Sequence, residues 1–149
     1  MVALRPACSA IRDGAMMIPV GWRRLKKRSP MGATELMVEV FNPRDPSRSD
    51  AVKMLVDSGA SWSVVPATTL RRLGIRPDRV ETFDLADGTE VERAVGSAEF
   101  EVAGRRGAST VIFGKRGDAC LLGVVTLEEL GMVLDPLRRR LRPMRLRLG

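Results

Sequence analysis

An aspartate that follows a mostly apolar stretch is the residue of this chain best placed for acid–base chemistry. The run 52–56 reads as a strand and leads directly into Asp57, Ser58, Gly59 and Ala60. Serine, glycine and alanine suit a tight turn, whose backbone N–H groups can hold a carboxylate oriented and ionisable. The same four residues also fit a simpler role, in which Asp57 only caps a turn.

The absence of histidine narrows the possible chemistry. It excludes the histidine-dependent nucleophilic triads and the common zinc sites, so acid–base work must come from carboxylates, lysine or cysteine. Cys8 and Cys120 form no CxxC spacing, and neither a metal site nor a redox motif is indicated. This cysteine usage predicts a protein of a reducing compartment, and we expect a cytoplasmic location.

The net charge of +7 is concentrated at the two ends of the chain. Residues 1–30 carry seven basic residues and one acidic residue, and residues 131–149 carry six arginines and one aspartate. Basic ends bind nucleic acid in some proteins, but they are more often solvated tails. Because these ends lack an interleaved aromatic pattern, we do not expect a nucleic-acid partner.

The chain divides into a basic N-terminal extension, residues 1–30, which we expect to be disordered, and one folded domain, residues 31–149. The most apolar piece of the extension, 15–20, contains Pro19 and is too short to span a membrane. We therefore expect no membrane span.

The folded part shows the signals of short strands joined by tight turns. Leu36, Val38 and Val40 alternate with polar positions, as in a half-buried strand, and Asp87-Gly88 between two strand-like runs predicts a hairpin. A polar stretch, 42–50, is expected to join the first two strands. The predicted strands are 34–41, 51–56, 63–66, 80–85, 90–95, 98–102, 109–113 and 119–125. The predicted helices are 67–73, ended by Gly74, and 126–130, with Thr126 as the N-cap of a capping box. This pattern predicts an all-β domain built as a closed barrel, with two short helices.

Three stretches taken together resemble the retropepsin-like aspartic peptidases, the single-lobe clan AA group that includes retroviral proteases and small bacterial relatives. They are the Asp57 turn, the hairpin around Ala86-Asp87-Gly88, and the run 121–131, in which Leu121, Leu122 and Gly123 precede a short helix. The resemblance covers about residues 31–143. By itself the apolar run at Leu121 fits an ordinary core strand, and the order of the three stretches makes the combination specific.

The resemblance implies a role for each matching residue. Asp57 corresponds to the catalytic aspartate, and Ser58 to the residue whose hydroxyl locks the two active-site turns of a dimer together. Gly59 and Ala60 shape the turn and border the substrate. Ala86, Asp87 and Gly88 lie where the family's flap closes over the substrate. Leu121, Leu122 and Gly123 correspond to the strand that supports the active-site turn.

The resemblance also implies a twofold homodimer, because the chemistry needs two aspartates and the chain has one such motif. Two close carboxylates share one proton, so one can activate water while the other hydrogen-bonds the scissile carbonyl. The expected activity is that of an aspartic endopeptidase acting on an extended peptide, without metal or organic cofactor. The alternating tail residues Met144, Leu146 and Leu148 suggest a terminal strand of the dimer sheet.

The sequence departs from the retroviral pattern at one pair of positions. Retroviral members pair an arginine after the glycine of the support motif with an aspartate beyond the active-site turn. Here those positions are Val124 and Ser61, so both partners are absent. Trp62 follows, where its ring either lines a substrate subsite or packs against the barrel. A retropepsin-like module that binds peptides or proteins with little hydrolysis is the alternative function.

Overall fold

A computed structural model describes residues 34–149 and the backbone of residues 10–11. The remainder of the basic segment, predicted to be a disordered extension, lies outside the described residues. The strands are β1 (Ala10–Ile11), β2 (Thr34–Asn42), β3 (Asp45–Val56), β4 (Ser63–Pro66), β5 (Arg79–Asp84), β6 (Glu90–Val102), β7 (Arg105–Gly114), β8 (Leu121–Leu122), β9 (Met132–Asp135) and β10 (Arg140–Pro143). The helices are α1 (Ala67–Arg72) and α2 (Val124–Glu129).

The main sheet has eight strands in the order β1-β3-β2-β6-β7-β4-β8, with β5 paired to β6. The short strand β8 also pairs with β3, in parallel, so the pairings from β3 onward return to β3. The ring closes where the end of β3 pairs with β8. This pairing sets Leu55 opposite Leu121 and Val56 opposite Leu122, so each residue pairs with one 66 positions later in the sequence. This is the junction at which the Asp57 turn begins.

The core lies inside this ring of strands. Alternation along β2 places Leu36, Val38 and Val40 inside, as the sequence predicts. From the other strands and the two helices, the core receives Val52, Met54, Val65, Leu70, Phe100, Val111, Phe113, Leu122 and Leu127. Burial of this apolar surface is the main contribution to the stability of the domain.

The hairpin turns are shorter than the sequence predicts. The stretch 42–50, expected to be one polar turn, contributes only two turn residues, because β3 begins at Asp45. The pairing of β2 with β3 shifts register after Phe41, and such an irregularity tolerates a proline that donates no hydrogen bond. Likewise β6 runs unbroken from Glu90 to Val102, where two strands were predicted.

The turn between β6 and β7 is Ala103-Gly104, which is shorter than the gap between the predicted strands 98–102 and 109–113. Both residues have positive φ, 51° and 83°, which is the backbone of a twisted two-residue hairpin turn. The hairpin between β5 and β6 forms as predicted, and Gly88 there has φ of 88°.

The segment after β7 differs most from the prediction. The apolar run 119–125 was expected to be one strand, but only Leu121 and Leu122 pair as a strand. Val124 and Val125 already belong to α2, whose N-cap is Gly123. The predicted capping box at Thr126 is therefore wrong, because Thr126 lies within the helix and is completely buried.

The C-terminal residues form a separate two-stranded sheet of β9 and β10. After Pro143 the described chain has no further strand, and Leu146 and Leu148 are 70% and 98% exposed. Within the part of the chain that the structure describes, no helix is long and apolar enough to cross a membrane.

Candidate active site

Asp57 is positioned by the parallel pair of β3 and β8. The backbone N–H of Leu55 donates to the Cys120 carbonyl at 2.9 Å, and that of Asp57 donates to the Leu122 carbonyl at 3.1 Å. These two bonds fix the backbone on both sides of Val56. Leu121 and Leu122, two residues of the predicted support strand, therefore lie beside the end of β3, and the Leu122 carbonyl accepts from the aspartate's own peptide group.

The turn after β3 holds the carboxylate. The Gly59 N–H donates to Asp57 Oδ1 at 2.8 Å, and the Ala60 N–H donates to the Asp57 carbonyl at 3.1 Å. Asp57 is half-buried, whereas Ser58 and Gly59 are exposed. One carboxylate oxygen is thus oriented by the turn, and Oδ2 has no hydrogen-bond partner among the described residues. A second group can approach it there.

Gly123 lets the start of α2 lie directly against the segment that follows the turn. The N–H groups of Val124 and Val125 donate to the carbonyls of Ala60 and Ser61 at 2.9 and 3.0 Å. A Cβ on Gly123 would lie 2.7 Å from the Ser61 oxygen and 2.7 and 2.8 Å from the carbonyl carbon and oxygen of Trp62. Only glycine therefore fits this approach without a shift of backbone.

A buried cluster of hydroxyl groups lies beneath this contact. The Gly123 N–H donates to Ser63 Oγ at 2.9 Å, and the Ser63 and Thr126 hydroxyls share a hydrogen bond of 2.7 Å. The Thr126 and Ser109 hydroxyls share a second one, of 2.9 Å. The sequence interpretation missed this cluster, and the available signal was a set of small hydroxyl residues inside otherwise apolar elements.

A cavity of about 510 Å³ opens beside the turn, and its wall begins at Gly59 and Ala60. Most of the other residues that line it are apolar or aromatic, and they come from the hairpin β5–β6, from β4, β7 and β8, and from the turn itself. The lining residues are Gly59, Ala60, Ser61, Trp62, Val64, Phe83, Asp84, Leu85, Val91, Arg93, Ile112, Asp118, Ala119 and Leu121. Such a wall suits an apolar group of a ligand.

Trp62 lines this cavity and also packs against the hairpin. Its ring meets Phe83 edge to face, with centroids 5.9 Å apart and planes at 78°, and the Arg79 guanidinium lies 5.7 Å from its ring centroid. Trp62 therefore both lines the cavity and packs against a strand of the sheet.

The hairpin contributes its strands to the cavity, and not its tip. Ala86, Asp87 and Gly88, the predicted flap residues, are exposed and do not line the cavity. At the tip the Thr89 N–H donates to Asp87 Oδ1 at 2.9 Å, and hydrogen bonds from Thr89 lower the pKa of Asp87.

An ion pair joins the hairpin to the loop before β8. Arg93 Nε and one terminal nitrogen donate to the two oxygens of Asp118 at 2.7 and 2.8 Å. The Lys115 N–H also donates to Asp118, at 2.8 Å. Burial raises the pKa of Asp118, but the hydrogen bonds from Arg93 and Lys115 outweigh it and hold that pKa below its usual value. Sequence reasoning did not single out either residue.

No group of three or more cysteine, aspartate or glutamate side chains in the described part of the chain could hold a metal ion. The ionisable group on the turn is the carboxylate of Asp57, which accepts the Gly59 N–H and lies beside a largely apolar cavity.

The fold is that of the retropepsin-like aspartic peptidases. Residues 48–129, more than half of the chain, match the family model described as gag-polyprotein putative aspartyl protease, and the chain belongs to that family. A comparison with curated proteins finds no match.

Two solved structures support the assignment of the fold. The EIAV protease complexed with the inhibitor HBY-793 is 22% identical, with a TM-score of 0.51, over 72% of this chain and 92% of that one. A retropepsin-like aspartic protease from Rickettsia conorii has the same identity and TM-score, over 72% of this chain and 80% of that one.

Proposed function

We propose that this protein is an aspartic endopeptidase that works as a twofold homodimer. The single observation that carries the proposal is the Asp57 turn, in which a backbone N–H fixes one carboxylate oxygen beside an apolar cavity of about 510 Å³. Membership of the aspartyl protease family supports the same activity. The peptidase domain spans residues 31–149 in this proposal, and its ring of paired strands forms the closed barrel.

The dimer supplies the second carboxylate. A twofold axis beside the turn brings together Asp57 from both protomers, and the exposed Ser58 hydroxyls bond across the axis. Because two adjacent carboxylates repel when both are ionised, the pair holds one proton. The ionised carboxylate removes a proton from a bound water, which attacks the scissile carbonyl carbon. The protonated carboxyl donates a hydrogen bond to the carbonyl oxygen and stabilises its developing charge.

The substrate is an extended peptide that adds its backbone to the sheet as a further strand. The hairpin β5–β6 covers it, with Ala86, Asp87 and Gly88 at the moving tip as the flap. One apolar side chain of the substrate enters the cavity between Trp62 and Leu121. No metal or organic cofactor takes part in this reaction.

The tail of the chain contributes to the dimer. Leu146 and Leu148 are largely exposed in the single chain, and they alternate with arginines as an edge strand does. Deleting residues 145–149 leaves β10 intact, and we expect this deletion to shift the protein toward monomer in analytical ultracentrifugation. An unchanged dimer would refute the role of the tail.

The test of the activity compares the wild type with Asp57→Asn on a mixed peptide library between about pH 4 and pH 7, where a shared-proton pair can work. The matched control is Asp45→Asn, because Asp45 Oδ1 also accepts the N–H two residues ahead, but in an exposed turn at the start of β3. We expect cleavage by the wild type and by the control, and none by Asp57→Asn. Equal cleavage by Asp57→Asn would refute the proposal. Dimers that bind peptides without cutting them would instead support the binding module.

A further inference from the structure

The ion pair of Arg93 and Asp118 is held by several hydrogen bonds within the fold. Arg93 donates from Nε and one terminal nitrogen to Asp118, and from its other terminal nitrogen to the Glu92 carbonyl at 2.9 Å. Asp118 accepts the bidentate fork together with the Lys115 N–H. Each guanidinium nitrogen and each carboxylate oxygen therefore has a partner within the fold, and three of the five guanidinium N–H groups are used. The two opposite charges lie in direct contact and neutralise each other.

This mutually neutralised pair forms part of the cavity wall. The side chains of Arg93 and Asp118 are only 16% and 25% exposed, and both line the cavity that starts at the active-site turn. Asp84 is the third charged residue of the lining, and it is exposed to solvent, which screens its charge. The cavity is thus bounded mainly by apolar surface and by the Arg93–Asp118 ion pair, whose two charges neutralise each other.

We propose that the Arg93–Asp118 pair determines the substrate specificity of this cavity, by restricting it to an uncharged side chain. The inference rests on the proposed function, since it assigns the class of peptide that the site accepts. Each charge of the pair is neutralised by the other, so neither charge is available to bind a charged group of the substrate. The pair thus selects against charged side chains of the substrate.

The physical reason is the cost of desolvation. A glutamate or lysine side chain that entered the cavity would leave water and find the two charges of the half-buried wall already neutralised, while Asp84 is screened by solvent. An apolar side chain instead gains from burial. Bidentate geometry strengthens the pair against competition from a charged side chain. Since hydrogen bonds hold the pKa of Asp118 below its usual value, the pair also stays ionised over the pH range in which we expect activity.

The test removes one charge at a time from the wall. Asp118→Asn leaves Arg93 charged without its carboxylate partner, and Arg93→Met leaves Asp118 charged while keeping an unbranched stem in place of the guanidinium. The substrates are peptides in which one position at a time carries Leu, Glu or Lys. At the position that enters the cavity, we expect the Glu-to-Leu cleavage ratio to rise about tenfold or more with Asp118→Asn, as a charge-assisted hydrogen bond allows. We expect Arg93→Met to raise the Lys-to-Leu ratio similarly.

Two control variants separate specificity from mere support of the fold. The double variant Arg93→Met, Asp118→Asn removes both charges, and we expect it to return the ratios to those of the wild type. Glu99→Gln removes the carboxylate from the ion pair with Arg106, which does not line the cavity, and we expect it to leave the ratios unchanged. A uniform loss of cleavage in the single variants, with unchanged ratios, would overturn the proposal and reduce the pair to a structural tie.

We also measure whether the same peptides are retained by the Asp57→Asn protein. The measurement is repeated with Asp57→Asn proteins that carry Arg93→Met or Asp118→Asn as well. If the wild type cleaves nothing but retention follows the predicted change in charge, the proposed hydrolysis fails and the inference stands. If cleavage occurs and neither ratio changes, the inference fails and the proposed function stands. If no variant retains any peptide and no cleavage occurs, both the inference and the proposed function are overturned.

Discussion

Replacing Gly123 with alanine should disrupt the contact that holds the active-site segment in place. The added Cβ would lie within 2.8 Å of three backbone atoms of Ser61 and Trp62. Backbone cannot rotate away as a flexible side chain can, so the two segments must separate. Gly123 itself has φ of −87°, which any residue adopts, so the cost comes from the collision alone.

The magnitude follows from the overpacking of a well-packed interior, which costs about 1–3 kcal/mol. For a domain of this size each kcal/mol lowers the melting temperature by roughly 4 °C, so we expect a loss of about 4–12 °C. Separation also lengthens the hydrogen bonds from Val124 and Val125 to the residues after the turn. Because these bonds position the chain next to Asp57, we expect cleavage to fall as well.

The assay is thermal unfolding followed by circular dichroism, together with peptide cleavage at a temperature well below unfolding. Gly107→Ala is the matched control, because its Cβ would have its nearest neighbour at an ordinary 3.4 Å, the Glu129 carbonyl oxygen. We expect the control to behave like the wild type. A Gly123→Ala protein as stable and as active as the control would refute the reasoning.

Two further predictions concern polar groups near the site. Thr126→Val keeps the shape of the side chain but deprives the buried Ser63 and Ser109 hydroxyls of their partner, which should lower the free energy of unfolding by about 1–3 kcal/mol in urea titrations. Thr126→Ser, which keeps the hydroxyl, should cost less, and an equal cost would contradict the role of the network. For Asp118, folding lowers the pKa from its ordinary 3.8, so its stabilising effect is complete above about pH 4 and is lost as the pH falls through the lower folded value. The difference in stability between the wild type and Asp118→Asn should therefore shrink between pH 6 and pH 2.5, and a constant difference would show that ionisation of Asp118 contributes nothing.

The inner face of β2 and the turn of the β5–β6 hairpin could be predicted from the sequence because their signals are local. Alternation of Leu36, Val38 and Val40 identifies the inner face of β2, and Asp87-Gly88 identifies a turn that needs positive φ. These features depend on residues a few positions apart, and neighbouring segments do not alter them. The end of β3 at Asp57 was predictable for the same reason, because the change from apolar to turn residues is abrupt.

The segment after β8 could not be predicted in the same way. A short apolar run fits either a strand or a buried helix, and 119–125 contains both. The helix begins after Gly123 because the N–H groups of Val124 and Val125 find acceptors at Ala60 and Ser61. Those acceptors lie more than 60 residues earlier in the chain, so only the tertiary structure shows where the helix starts.

The Arg93–Asp118 pair could not be predicted from the sequence either, because it also depends on the tertiary structure. The chain contains 25 basic and 18 acidic residues, and no spacing rule selects one long-range pair among so many combinations. The pair forms because β6 passes beside the loop that precedes β8, a neighbourhood created by the sheet order. The topology of the sheet therefore determines which charged residues lie in the cavity wall. The position of the aspartate in its turn, by contrast, follows from the local sequence.

Backbone hydrogen bonds join the two segments that carry Val124 and Ser61, the positions at which the retroviral arginine–aspartate pair is absent. Where a side-chain ion pair would join the two segments, Val124 and Ser61 instead take part in a backbone connection, and the hydroxyls of Ser63 and Thr126 reinforce it from below. Backbone amides do not titrate between about pH 4 and pH 7, the range over which a shared-proton carboxylate pair can work. The connection also places no demand on the side chains of Val124 and Ser61, which leaves Ser61 available to line the cavity. The turn is thus held by groups that are independent of the charges to which we assign catalysis and substrate selection.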